Sequence, residues 1–479
     1  MFFMNELLPG NPRYQPKEMI PVFGYDNLYK KFSLVEIATL ETLGDIGIIP
    51  KKDIEELDQV KKQKLLDIKT SEVDEIERTI THHDIRALVR KAQEILGPNL
   101  AKWVHIPLTS YDVIDTARIL QFQEAYKTAL KPSIIKIIEV FSKLIEENIE
   151  QIQIGRTHGQ HAIPITVGFW LATILNRVVY NFEKMDYYCN NLVGKISGPV
   201  GAHNAQLGLQ FTNITDEESF EEKVLAKLGL KPAKISTQIL PPEPLSFFLF
   251  SSVNLSATLG QFGRDSRHLM RSEMGEIVES FEKGQVGSST MAHKRNPINF
   301  ENIEGMWLRT KSEFNKVLDS LISEHQRDLV GSSVARDYPI ILINLQNQLN
   351  TLLRENKDGI VFLERLSVNK ESCLTNFNKN ANVILAEPLY IALQMAGYTG
   401  DAHELVNHKI IPIVQKSKKS MVNVLNDLAL DDNNLKVIIN NIPKEVLSLL
   451  ESPENYIGDA REKAKEIIEY SKSIINLIK

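Results

Sequence analysis

The run from Leu245 to Gly263 carries no charged side chain and approaches the length of a membrane span. Ser246, Ser251, Ser252, Asn254, Ser256, Thr258 and Gln261 are scattered through it, so it reads as a helix buried among other helices. That requirement commits the chain to a bundle. Suitable partners exist on both sides. Helical periodicity runs from Ala117 to about Asn148, through Pro132, then from Val167 to about Leu192, and again from about Asn302 to Glu324. No convincing run of alternating apolar and polar residues suggests strands, and the fold class read from the pattern is all-α.

At 479 residues the chain can hold two or three domains or one very elongated helical body. A formal net charge of −6 supplies no basic field for nucleic acid or an acidic membrane, so any anion site must be local. Cys189 and Cys373 lie far apart without metal-ligand spacing and fit a reducing compartment. The first residues lack a basic region and meet Glu6 and Pro9 too early for a signal peptide. These features together predict a cytoplasmic protein.

Along the chain, a helix from Tyr29 stops at Gly47–Pro50, and Asp53–Lys69 reads as a second, charged helix. Ser71 is placed to cap a third, which takes in Thr81-His82-His83-Asp84 and ends at Gly97-Pro98. Adjacent histidines beside an aspartate hint at a metal, but no third ligand follows at helical spacing, and no metal is expected. Ser110 or Asp112 could cap the next helix, where hydroxyls and amides at a helix start suit a carboxylate. Gly155–Thr166 is turn chemistry around His158 and His161. A histidine between threonine and glycine in a turn is a fair general acid.

Helical periodicity from Leu245 continues through Met270–Ile277 into a polar loop, Gly287-Ser288-Ser289-Thr290-Met291-Ala292-His293-Lys294-Arg295-Asn296-Pro297. Two interpretations fit the loop's composition. It is either a solvated turn, or an anion site in which Lys294 and Asn296 hold a carboxylate while a serine removes a proton. Further on, Arg327 and Arg336 bracket Ser332-Ser333, a composition suited to phosphate.

The central loop resembles the signature G-S-S-x-M-P-x-K-x-N-P of the fumarase/aspartase superfamily of lyases, with Ala292 in place of the usual proline. Five further segments resemble the adenylosuccinate lyase family within it. Arg13-Tyr14 with Glu18-Met19 resembles R-Y-x-x-x-E-M, and Thr81–Asp84 resembles T-R-H-D with His82 in the arginine's place. Thr109–Asp112 resembles T-S-x-D, Gly155–His161 resembles G-R-T-H-G-x-H, and Arg327–Arg336 resembles R-D-x-x-x-S-S-x-x-R. Ile239–Pro244 stands where the family commonly shows an Arg-Asp pair, and Gly331 where histidine is frequent.

The resemblance implies an elongated three-domain lyase, divided near 110 and 364 into segments 1–110, 111–364 and 365–479. It also implies a homotetramer with a twenty-helix core and sites shared between subunits. The implied reaction eliminates fumarate from adenylosuccinate and from the succinylated imidazole-carboxamide ribotide. The implied catalytic residues are Ser288 as base with Ser289 as its neighbour, His158 as acid oriented by Glu301, Lys294 and His83. Lys294, Asn296, Thr109 and Ser110 would bind succinyl carboxylates, and Gln238 the succinyl group. Arg13, Tyr14, Arg327, Ser332 and Arg336 would hold phosphate and ribose, with His82 and Asp84 beside them. No metal or organic cofactor is implied. The competing expectations are another lyase of the superfamily, or a non-catalytic scaffold.

Overall fold

The computed structural model describes residues 4–213, 215–279, 294–417 and 419–479. Its body is built from the helices Ser110–Ala125, Lys131–Glu147, Val167–Asn190, Glu243–Leu269, Ile298–Asp319 and Pro339–Leu352. The first two run on through a single wide turn, Tyr126–Leu130. Pro132 follows directly on this wide turn, where the regular i→i−4 ladder is already interrupted, so its missing N–H costs little.

The uncharged run is buried as its composition requires. Ser251, Ser252, Ser256 and Thr258 are all under 4 % exposed, and their hydroxyls find partners inside the bundle. Ser251 donates to the Phe248 carbonyl at 2.7 Å, Thr258 to the Asn254 carbonyl at 3.1 Å, and Ser256 to Gln348 Oε1 at 2.8 Å. Two glycines let the Ile298–Asp319 helix approach. A Cβ at Gly260 would stand 2.9 Å from Trp307 Cβ, and one at Gly263 would stand 2.8 Å from the Phe300 carbonyl oxygen. Edge-on aromatic pairs, Phe141–Phe262 at 5.1 Å and Phe262–Phe300 at 5.9 Å, fill the same seam.

One apolar core extends from Leu8 to Ile475, because the Ala460–Ile478 helix returns to pack on Val167–Asn190. A second, smaller core gathers residues 377–450 together with Ile154. Among the described residues, no helix is long and apolar enough to cross a membrane.

Several local expectations need correction. Asp53–Lys69 is not one helix: it breaks into Lys51–Ile54 and Gln59–Leu66, because Asp58 caps the second by accepting from Lys61 N at 2.8 Å. Ser71 caps nothing. The Thr70–Ile76 helix starts after Lys69, and the Ser71 hydroxyl binds buried Asp26 at 2.7 Å. Thr81–Asp84 interrupts its helix, since His82 takes a left-handed conformation (φ 49°) and Asp84–Leu96 begins afresh. The cap before Ser110–Ala125 is Thr109, whose N–H donates to Asp112 Oδ2 at 2.8 Å. Met270–Ile277 is not helical: the long helix ends at Leu269, and Ile277–Val278 pairs with Ser367–Val368. Gly155–Thr166 lies in a β-hairpin, Ile152–Thr157 against Gln160–Thr166.

Candidate active site

The hairpin turns on two residues, His158 (φ 53°) and Gly159 (φ 75°), both left-handed as a tight hairpin requires. His158 is therefore carried at an exposed tip, with its backbone fixed from below. The anchor is Arg156, which forms a two-armed ion pair with fully buried Glu276, at 2.5 and 3.1 Å. Gln153 and Asn376 each donate to the same carboxylate at 2.9 Å. His161, on the second strand, has its ring Nδ1 3.0 Å from the Asn380 amide. Burial, then the nearby Arg156 charge, pulls the His161 imidazole below its usual range.

At the opposite end of the bundle is a cavity of about 610 Å³. His83, Asp84, Ser110, Gln238, Arg327, Ser332 and Arg336 all line it. Asp84 stands between His83, at 3.3 Å, and Arg336, at 3.4 Å. Arg118, also on the wall, is paired with Asp115 at 3.2 Å. Asn5, Leu7, Leu8 and Pro9 close one side. Tyr25 on the wall donates to Asp74. Burial and that carboxylate push its phenol up to about 12, so it stays neutral and cannot act as a base near pH 7.

The remaining sequence-predicted residues lie elsewhere. Thr109 is half-buried at the cap next to Ser110, and His82 is exposed before His83. Arg13 is exposed, and the Tyr14 ring sits 4.7 Å from the Arg309 guanidinium. Lys294 and Asn296 line a separate cleft with Arg267, His268 and Arg271. Glu301 is exposed in the first turn of Ile298–Asp319, and no hydrogen bond joins it to His158 among the described residues. Ser288 and Ser289 lie outside the described residues.

The two groups sit at opposite ends of one rod. The Glu243–Leu269 helix begins just after Gln238 and ends at the Lys294 cleft. Its 27 residues span about 40 Å at 1.5 Å per residue. One chain therefore cannot bring His158 or Lys294 to Arg327.

Sequence reasoning missed what positions the cavity. Asp112 and Lys195 are both fully buried and paired, and Asp112 Oδ1 also accepts from the N–H groups of Ser197 at 3.1 Å and Gly198 at 3.2 Å. This ties the start of the Ser110 helix to the 195–198 loop. Asp112 was visible in its motif; Lys195 gave no sign, since nothing local marks a lysine for burial.

A second support is His105, whose ring Nδ1 lies 2.7 Å from Glu36 Oε1 beneath the 105–109 loop. Burial works against the imidazolium, but the Glu36 charge and hydrogen bond outweigh it and lift the pKa above 6.5. With the folded value raised, the stabilisation is complete below about pH 6.5 and is lost as pH rises through the folded pKa. Thermal melts of Glu36→Gln and the parent chain from pH 6 to 9 are expected to converge at the alkaline end; a constant gap would refute this.

A family profile described as Lyase matches residues 26–310. The adenylosuccinate lyase of Pyrococcus horikoshii is 33% identical over 467 residues, covering 96% of this chain and 97% of its own. That of Archaeoglobus fulgidus is 32% identical, covering 98% and 99%. The solved 3-carboxy-cis,cis-muconate lactonizing enzyme of Pseudomonas putida superposes with a TM-score of 0.78 at 22% identity, covering 96% and 97% of the two chains. It shares the fold. Signature segments and family match together define a lyase enzyme of the fumarase/aspartase superfamily. Within that class, the chain belongs to the adenylosuccinate lyase family.

Proposed function

We propose that this chain eliminates fumarate from adenylosuccinate to leave AMP, and from the succinylated imidazole-carboxamide ribotide to leave the carboxamide ribotide. The observation that supports it most is the meeting of His83, Ser110, Gln238, Arg327, Ser332 and Arg336 on one cavity, in a chain whose near-full-length relatives are adenylosuccinate lyases. The chemistry removes a proton from the carbon beside a carboxylate and then breaks a C–N bond. The carbanion is tolerable as an aci-carboxylate dianion, so fixed cations and donors must surround that carboxylate.

Ser288 serves as the base, with Ser289 its neighbour. Its alkoxide needs a cation, which Lys294 supplies. His158 protonates the departing nitrogen, with Glu301 orienting it. Lys294, Asn296, Thr109 and Ser110 bind the succinyl carboxylates near His83, and Gln238 contacts the succinyl group. Arg13, Tyr14, Arg327, Ser332 and Arg336 hold phosphate and ribose, with His82 and Asp84 alongside. We also propose the three-part division at 110 and 364, and a cytoplasmic setting.

The separation of about 40 Å along the central helix supports a site whose groups come from different chains, as a homotetramer with shared sites would provide. His158→Ala and Arg327→Met are each expected to be nearly inactive alone. Co-refolded, they are expected to regain turnover, because hybrid tetramers contain sites with neither substitution. Mixtures as inactive as their components would refute the shared site. The reaction itself is tested by absorbance-monitored turnover of adenylosuccinate, with argininosuccinate and malate as controls. Activity on a control alone would move the substrate.

A further inference from the structure

Tyr111 occupies the variable position of the Thr109–Asp112 segment, and nothing in the motif gives it a role. In the structure it is 9 % exposed and lies on the wall of the large cavity. Its ring lies under Arg327, with the guanidinium carbon 3.2 Å from the ring centroid. Its hydroxyl is 3.0 Å from Ser332 Oγ. One side chain thus touches two of the residues assigned to the anionic end of the substrate. It also borders a smaller neighbouring cavity of about 110 Å³ lined by Pro241, Pro242 and Leu245.

We infer that Tyr111 is the positioning residue of the phosphate site, holding Arg327 by its ring and Ser332 by its hydroxyl. The inference rests on the proposed reaction. An arginine on a flexible stem must lose rotamer freedom before it can hold a phosphate, and an aromatic face beneath the guanidinium removes that freedom in advance. The Arg327 guanidinium is also held from the loop, where Nε donates to the Asp328 carbonyl at 2.9 Å. Asp328 in turn accepts from the N–H groups of Glu324 at 2.7 Å and Val330 at 2.6 Å. The loop and Tyr111 therefore hold the same guanidinium, the one through Nε and the other against its face. Tyr111 lines both cavities, together with Arg118, Arg327, Ser332 and Ala335.

Tyr111→Phe removes the hydroxyl alone and is expected to raise KM for adenylosuccinate ~2- to 10-fold, the worth of one neutral hydrogen bond. Tyr111→Leu also removes the ring face and is expected to raise it a further ~2- to 30-fold. In both, kcat stays within about twofold of the parent, because the reacting atoms are untouched. AMP binding, by calorimetry, should weaken in parallel, while inhibition by succinate stays unchanged. The decisive comparison is a double-mutant cycle read on AMP affinity by calorimetry: in an Arg327→Met background, Tyr111→Leu should add almost nothing. If the two substitutions multiply, Tyr111 does not act through Arg327 and the inference fails. A fall in kcat with unchanged KM would fail it as well. If the parent chain neither binds AMP nor turns over adenylosuccinate, the proposed reaction has failed instead.

Discussion

Alanine at His158 is expected to lower kcat by at least ~100-fold, the scale of a lost general acid, with little change in the melting temperature. The two halves of that expectation come from different parts of the hairpin. The imidazole is at an exposed tip, outside both apolar cores. The hairpin's hold on the body is through Arg156 and Glu276, two residues away from the acid. Removing the ring therefore leaves the anchor whole. Arg156→Ala should behave differently: it strands the buried Glu276 carboxylate and should reduce stability and activity together. Ser288→Ala carries the same expected loss of at least ~100-fold as His158→Ala, and Ser289→Ala then separates the two serines. Steady-state rates with melting curves for the four variants make the test. Near-normal turnover in both His158→Ala and Ser288→Ala would remove the assigned acid and base.

Much of this architecture was legible because it depends on composition averaged over long stretches. The hydroxyl-bearing, charge-free run at Leu245–Gly263 could only be buried among helices, and it is. What escaped was local. A left-handed residue at His82 breaks a helix whose apolar pattern continues on both sides. Asp58 turns one charged stretch into two helices by offering the backbone a cap, an alternative that periodicity does not register. The hairpin around His158 was read as a turn because its strands are short and carry no clean alternation; their burial follows the packing of the 370–378 helix on one face. For the site, the motifs named the residues but not their distribution. That His83 and Arg327 share a cavity, while Lys294 sits at the far end of a 27-residue helix, is a matter of three-dimensional path. Tyr111 shows the same limit, since its partners Arg327 and Ser332 are more than two hundred positions away.

Lys195→Met is expected to be the most damaging single substitution outside the reacting groups, costing on the order of 3 to 5 kcal/mol. Lys195 and Asp112 are both fully buried and bonded to each other, with Lys195 Nζ also 3.4 Å from the Gly198 carbonyl. Methionine matches the lysine stem in length, so the volume change is small and the effect isolates the charge. What remains is a buried carboxylate held by N–H groups from Thr109, Ser197 and Gly198. Those three donors soften the loss, which places the expected value toward the lower end. Asp112→Asn in the Lys195→Met background removes the stranded charge and should recover part of the stability, whereas Asp112→Asn alone should destabilise by leaving the ammonium unpaired. Function follows from position. Asp112 sits one residue after Tyr111 and two after Ser110, so a helix start that drifts carries the carboxylate cap and the support of Arg327 with it. Denaturation midpoints at fixed protein concentration, read with KM for adenylosuccinate, test both consequences. Full stability in Lys195→Met would mean that the backbone donors alone hold Asp112, and the pair would lose its place as the anchor of the cavity.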